Sequence, residues 1–268
     1  MKNSSNKNRH SLLWTALATV AICGVVQQRA QAADVFWTNA TGDGVYTNTA
    51  NWNPPVLPQT TDYSSDVVVF GEQGGTPHVV ERLNYGNPSW ATTPNLCHLR
   101  FDTAGWTFNS GSNIKNLKVV KSFGAGTNTV GFLWEQQGSQ TWVIGSGNTL
   151  YLEKAFYCRA SEITIVGGGT LHLASWFTGF GGDYVYGLIL QDVTVRVDAA
   201  RPAQVSNGKV WLNSSSAKLQ LKTTVADARN IIDIRVYDNI GSGITVTDIG
   251  DSYVEMGVAD WATVIEIH

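Results

Sequence analysis

Two phrases 21 residues apart constrain this chain more than anything else in it. Gly147-Asn148-Thr149-Leu150-Tyr151-Leu152 is answered by Gly169-Thr170-Leu171-His172-Leu173, which sets Leu150 and Leu171 one repeat apart. In each phrase a turn residue leads into strict alternation, and a period of two sends the leucines to one face of an extended strand. A repeat of this length is the size of one solenoid coil. Weaker echoes stand at Asp192-Val193-Thr194-Val195, Gly208-Lys209-Val210-Trp211-Leu212 and Ala217-Lys218-Leu219-Gln220-Leu221. Between and beyond them, short runs rich in β-branched and aromatic residues recur, among them Thr141–Ile144, Ile163–Val166, Leu188–Leu190, Ile231–Val236 and Tyr253–Met256. Each is bounded by Gly, Asn, Ser or Asp, the chemistry of tight corners.

Past residue 33 no stretch holds a helical period over three turns. Many short strands suit a sandwich, a barrel or a solenoid. Sparse charge and an abundance of Gly, Ser, Thr and Asn favour stacked coils. The hairpin dipeptide Asn-Gly occurs once, at Asn207-Gly208, so hairpin meanders are poorly signalled. The expectation is an all-β parallel β-helix. At about 22 residues per coil and about 4.8 Å per step it would make about ten coils, a rod of roughly 50 Å. The strands after Leu221 either continue the coils or form a short antiparallel end.

The N-terminal third has a different texture. Lys2, Lys7 and Arg9, an apolar stretch Leu12–Val26 and the small-residue site Ala30-Gln31-Ala32 make residues 1–32 a secretory signal with cleavage after Ala32. The apolar stretch is too short for a confident membrane span, and no later run reaches that length. Behind it come Trp37, Gly42-Asp43-Gly44, Asn51-Trp52-Asn53-Pro54-Pro55, Pro58 and Asp66-Val67-Val68-Val69-Phe70. Prolines bar helix and central strand. Aromatics amid turn chemistry suit the closed end of a solenoid, whose terminal coil would otherwise expose its core. The domain reading is therefore a signal peptide at 1–32, a cap with first strands at 33–94, and coils at 95–268.

Residues 1–32 hold four of the 18 Lys and Arg and no acid, leaving 14 bases against 21 acids, a net −7. An acidic chain without basic runs argues against nucleic-acid partners, which require a positive footprint. Cys97 and Cys158 fit either a disulfide, permitted in an exported protein, or two small buried thiols. Neither belongs to a Cys-x-x-Cys pair.

The Trp37…Asn51-Trp52-Asn53…Pro58…Asp66–Phe70 opening and the run Leu99-Arg100-Phe101-Asp102-Thr103-Ala104-Gly105-Trp106-Thr107-Phe108 resemble the start of secreted bacterial proteins with autotransporter-associated β-strand repeats. Ile163–Ala174 and its continuation to Val193–Ala199 are similar to the repeat itself. The resemblance covers residues 35 to about 221 in patches. It implies a right-handed, pectin-lyase-like parallel β-helix, displayed outside the cell and carrying no catalytic residues.

Parallel β-helices also include polysaccharide lyases and glycosidases. One candidate row is Asp192, Thr194, Arg196 and Asp198, outward if Val193, Val195 and Val197 face in. A second is Asp233, Arg235 and Tyr237. Stacked together, such rows would offer carboxylates for Ca²⁺ and an arginine for proton abstraction from an acidic sugar. A solvated, self-neutralising strand face is the preferred reading of both. Asp183, Asp192, Asp198 and Asp233 are carboxylates for a glycosidase, with nothing to set their separation. His78 falls in a loop, and His98 and His172 point outward from strands. The chain contains no His-Glu-x-x-His, Gly-x-Ser-x-Gly or Gly-Lys-Ser/Thr motif, so no metal or cofactor is expected. Gly167-Gly168-Gly169 reads as a corner.

The aromatics offer a ligand surface instead. Trp176 and Phe177, with Tyr184 and Tyr186, lie on a Gly-rich excursion, and Trp211 alternates with Val210 and Leu212 and so faces out. Most other tryptophans are expected in the core or cap. The sequence thus reads as an exported structural or adhesive β-helix, with an extracellular polysaccharide or a surface protein as partner. A lyase or hydrolase of β-helix fold and a non-catalytic carbohydrate-binding domain are the alternatives.

Overall fold

Parallel strands dominate the computed structural model, several of them joined by short corners of two to five residues. It describes residues 34–58, 67–74, 78–80, 98–109, 114–115, 119–131, 134–137, 139–154, 156–159, 162–175, 186–198, 208–229, 234–236 and 243–259. Residues 1–32, where the sequence leads one to expect a signal segment, and Cys97 lie outside these. The described residues form one compact unit within Asp34–His268.

The chain opens with β1 (Asp34–Trp37), a 3-10 turn at Thr49–Asn51 and β2 (Trp52–Asn53). Coils follow. The first has β3 (Val67–Phe70) and β4 (Val79–Val80); the second has β5 (His98–Phe101), β6 (Thr107–Phe108) and β7 (Ile114–Lys115). The third has β8 (Val119–Ser122), β9 (Gly126–Val130) and β10 (Trp134–Gln137); the fourth has β11 (Gln140–Ile144), β12 (Asn148–Leu152) and β13 (Phe156–Arg159). Then come β14 (Glu162–Val166) with β15 (Thr170–Leu173), β16 (Tyr186–Gln191) with β17 (Thr194–Val197), and β18 (Gly208–Leu212) with β19 (Lys218–Lys222). A one-turn helix, α1 (Val225–Arg229), leads to β20 (Ile234–Val236), and β21 (Ile244–Gly250) and β22 (Tyr253–Val258) close the chain.

Among the described residues the strands build three sheets. A ten-stranded sheet runs β2-β1-β3-β5-β8-β11-β14-β16-β18-β20, a nine-stranded sheet runs β21-β22-β19-β17-β15-β12-β9-β6-β4, and β13-β10-β7 make a third face. From β1 to β20 every neighbour in the large sheet is parallel. The protein is a parallel β-solenoid, as its repeats imply. Those eight steps at about 4.8 Å span roughly 40 Å, shorter than the length expected from sequence, because the last strands turn back. Both β21 and β22 are antiparallel, with β22 laid against β19. At the other end β2 pairs antiparallel with β1.

The register agrees with the repeat. Leu150 pairs with Leu171, Leu171 with Val195 and Val195 with Leu219, all fully buried, so one inward column runs through four coils. Each such side chain contributes on the order of 1.5–3 kcal/mol by leaving water. The echo at Gly208–Leu212 is on the other side of the coil. It forms β18 of the ten-stranded sheet, where Val210 and Leu212 are the inward residues. The phrase Gly-x-apolar-x-apolar satisfies any inward-facing strand, so it carries no information about which sheet takes it.

The N-terminal cap is aromatic, as expected. Trp37, Tyr46, Trp52 and Phe70 are buried, with Trp37 and Trp52 edge to face at 4.9 Å and Trp52 and Tyr46 likewise at 4.8 Å. Phe70 passes the stack on to Phe101 at 5.7 Å and Phe108 at 4.8 Å. The loop before β2 is knotted around buried Asn51. Its Oδ1 accepts from the Thr41 backbone N–H at 2.9 Å and the Thr41 hydroxyl at 2.7 Å, and its Nδ2 donates to the Val45 carbonyl at 3.1 Å. Trp52 Nε1 donates to the Tyr46 carbonyl at 2.8 Å.

Two features have only faint traces in the sequence. In the large sheet the inward column passes from Phe101 to Ser122, where polar groups replace rings. Buried Ser122 donates to Asn148 Oδ1 at 2.7 Å and accepts from Asn128 Nδ2 at 3.0 Å, and Asn148 Nδ2 reaches the carbonyls of Phe123 and Gly124 at 3.0 and 2.8 Å. The net satisfies the backbone of the corner between β8 and β9. The helix α1 escapes a three-turn periodicity test, yet Thr224 and Asp227 form a capping pair. The Asp227 N–H donates to Thr224 Oγ1 at 3.1 Å, and that hydroxyl donates to the Asp227 carboxylate at 2.7 Å.

Candidate functional site

With the interior filled, the chemistry of this fold is carried on the outer faces. Outward positions on β12, β15, β17 and β19 of the nine-stranded sheet fall into register as Tyr151, His172, Arg196 and Gln220, and Gln220 pairs with Glu255 of β22. Here the titratable groups crowd together. His172 Nε2 lies 2.8 Å from Asp198 Oδ1, and the Tyr253 hydroxyl donates to the same oxygen. The Arg196 guanidinium lies flat over the Tyr253 ring, 3.8 Å from its centre, while Arg196 Nε stands 3.9 Å from the carboxylate, too far to bond it. Tyr151 packs its ring on His172 at 4.7 Å. Lys218 and Gln220 hold Glu255 at 3.2 and 3.0 Å.

The charges respond to this closure. Burial pushes the Asp198 carboxyl up, but the hydrogen bonds from Tyr253 and His172, with the charges of His172 and Arg196, outweigh it and hold the group below the usual carboxylate range. Burial raises the Tyr253 phenol, and its bond to Asp198 raises it further against the opposing effect of Arg196. Tyr151 is raised by burial first and then by the negative charges of Asp198 and Glu153. Asp198 and Arg196 are thus committed to holding β22 on the coils. They face the antiparallel closing strand.

That arrangement revises the candidate catalytic rows. Asp192 does not share the face of Arg196. It occupies a corner at φ 55°, where its N–H donates to Ser214 Oγ at 2.9 Å and its carboxylate accepts from Ser216 and Ser214, which lowers its pKa. Arg196 is on β17 of the nine-stranded sheet and Arg235 on β20 of the ten-stranded sheet, so their rows do not stack. Asp183, Asp233 and Tyr237 lie outside the described residues. His98 and His172 are outward strand residues, as expected, and His78 stacks on Trp106 at 4.5 Å. Gly167-Gly168-Gly169 is the corner between β14 and β15, with Gly167 and Gly168 at φ 113° and 79°.

Of the predicted ligand residues, Trp176, Phe177 and Tyr184 lie outside the described residues. Tyr186 opens β16, in register with Gly208. Trp211 stands on the outer face of β18, half-buried, between the inward Val210 and Leu212. By contrast Trp37, Trp52, Trp106 and Trp142 are core. Trp211 pairs with Ile189, Ile189 with Thr164 and Thr164 with Thr141, so it continues an outward column that crosses β11, β14 and β16 and passes on to Arg235 of β20. A groove opens along this column on the ten-stranded sheet, with Ser139 and Gln140 at one wall; the Glu162 N–H donates to Ser139 Oγ at 3.4 Å. The sequence reading identified the aromatic and missed the groove, whose lining comes from four different coils.

Within the described residues no three His, Cys, Asp or Glu side chains gather as a metal site, and no helix is long and apolar enough to cross a membrane. The class defined by fold and surface is a parallel β-solenoid with aromatic and polar outer columns. Comparison of the chain with known protein families, with curated proteins and with solved structures finds no match.

Proposed function

We propose that this chain is an exported structural or adhesive β-solenoid that works by presenting the outer faces of its sheets to extracellular polysaccharide or to a surface protein, without catalysing a reaction. The observation that carries the reading is a parallel stack with a filled core, whose ten-stranded sheet ends at one edge on antiparallel β2 and whose nine-stranded sheet ends at one edge on the antiparallel β22–β21 pair. With the inward columns filling the core, side chains that can meet a partner are those on the outer faces of the stack. Among the described residues, a close group of titratable side chains binds β22 to the coils, with Asp198 bonded to His172 and Tyr253. The leader-like pattern of residues 1–32 supports export, and the resemblance of Trp37–Phe70, Leu99–Phe108 and Ile163–Ala174 to autotransporter-associated repeats supports display outside the cell.

The test is a panel of extracellular polysaccharides presented to the chain from Ala33 to His268, recording both retention and new reducing or unsaturated ends. Retention without release is expected. Release that disappears in Arg196→Ala would overturn the reading in favour of a lyase. Immunodetection of the full-length chain in fractions of an expressing bacterium tests export separately, and retention of the uncleaved chain in the cytoplasm would sink that part.

A further inference from the structure

The groove on the ten-stranded sheet has a volume of about 600 Å³ and lies across β8, β11, β14 and β16. Thr141, Thr164 and Ile189 form its floor, with Lys121 and Val143 in the adjoining column and Glu162 at its edge. Trp211 follows Ile189 by one step in the same column. From the geometry we infer that groove and indole form one binding surface for an extended, uncharged polysaccharide lying along the stacking axis. The inference rests on the non-catalytic reading above and names the ligand class and the site.

Three features select that ligand. The first is spacing. Parallel strands recur at about 4.8 Å, so a column offers one outward side chain at each step, an interval close to the length of one pyranose unit in an extended chain. A compact ligand would use one or two steps, whereas a linear glycan meets them all.

The second is the kind of group presented. Threonine hydroxyls both donate and accept, as sugar hydroxyls do. The half-exposed Trp211 face and the Ile189 and Val143 side chains supply apolar surface for the C–H faces of a ring, the mix of apolar lining and few polar groups typical of small-molecule sites.

The third is charge. Among the residues that line the groove, Lys121 and Glu162 bring one charge of each sign, so the lining is neutral overall, and the next position of the column, Arg235, stands one step beyond Trp211. The nearest cation toward the N-terminal end, Arg100, is already occupied by Asp102 at 2.8 Å and Asp34 at 3.0 Å.

The experiment measures binding of soluble neutral β-glucan, xylan and mannan oligosaccharides, with polygalacturonate as the charged comparator, by titration calorimetry at low and high salt. Two variants accompany the wild type. Trp211→Ala removes the platform, and Thr164→Arg fills the floor from an outward position that leaves the core untouched. The expected result is binding of at least one neutral glycan that changes little with salt and weakens at least tenfold in both variants, whose melting temperatures stay near wild type. Failure to bind any neutral glycan, binding that both variants retain, or salt-sensitive binding of polygalacturonate alone would each overturn the inference. The broader reading fails differently: turnover of a bound glycan would refute it while leaving a variant-sensitive groove in place.

Discussion

Gly169 has no room for a side chain. A Cβ there would sit 2.4 Å from the Gly145 carbonyl oxygen, 2.6 Å from Ile144 Cγ2 and 2.8 Å from the Asn148 carbonyl oxygen. Two of the three are backbone atoms of the preceding coil and cannot swing aside. Gly169→Ala should therefore cost about 1–3 kcal/mol, the usual range for overpacking, and thermal or urea unfolding would show it. Asp198 makes a prediction of a different kind. Its pKa is lowered in the folded protein, so the stability it contributes is whole above the ordinary carboxylate range and is lost as pH falls through its own lower value. Asp198→Asn should lower stability at neutral pH by about 1–2 kcal/mol, the scale of a hydrogen bond to a charged group. It should also flatten the acid limb of the stability profile; an acid limb unchanged from wild type would show that other carboxylates govern it. Asp43 is held well below the usual carboxylate range by the Val45 N–H and the Asn48 and Asn51 amides.

At the scale of elements, the closing hairpin is the informative one. β22 lies antiparallel on β19 through five residue pairs, and its Tyr253 ring sits beneath Arg196 while its hydroxyl bonds Asp198. Tyr253→Phe keeps the ring and deletes the bond. Amide exchange should then quicken in β21 and β22 while β12 and β15 keep their protection, because opening of a terminal element need not involve the coils beneath it. Uniform loss of protection across both sheets would contradict that independence. The sequence signals the strand at Tyr253–Met256 but leaves its direction open. Nothing local distinguishes a parallel from an antiparallel partner, and His172, Asp198 and Tyr253 come together across 26 and 55 residues. Trp211 was legible because alternation with Val210 and Leu212 places it outward by itself. The groove beside it was not, since its floor is assembled from residues one coil apart and exists only once the register is set.

For the whole molecule, stability is distributed along the stack, and each coil depends on its neighbours. Trp37 is the clearest test. It is fully buried against Tyr46, Trp52 and Phe70 at the end of the core. Trp37→Ala should cost about 3–5 kcal/mol and should expose β1 and β3 to exchange well before β14 and β15, whereas a single cooperative loss of all protection would refute the coil-by-coil picture. Much of this architecture was determined by the sequence alone. Leu150 and Leu171 set the coil length, the corner glycines set where the chain turns, and Trp37 and Trp52 supplied rings for a cap, because alternation, turn chemistry and burial are properties of a few neighbouring residues. Only the tertiary structure decided which sheet each repeat joined, that the chain ends antiparallel, that Arg196 and Asp198 bind the closing strand, and where a groove opens. Those outcomes depend on strand register between coils, and register is a relation between segments that no single segment contains.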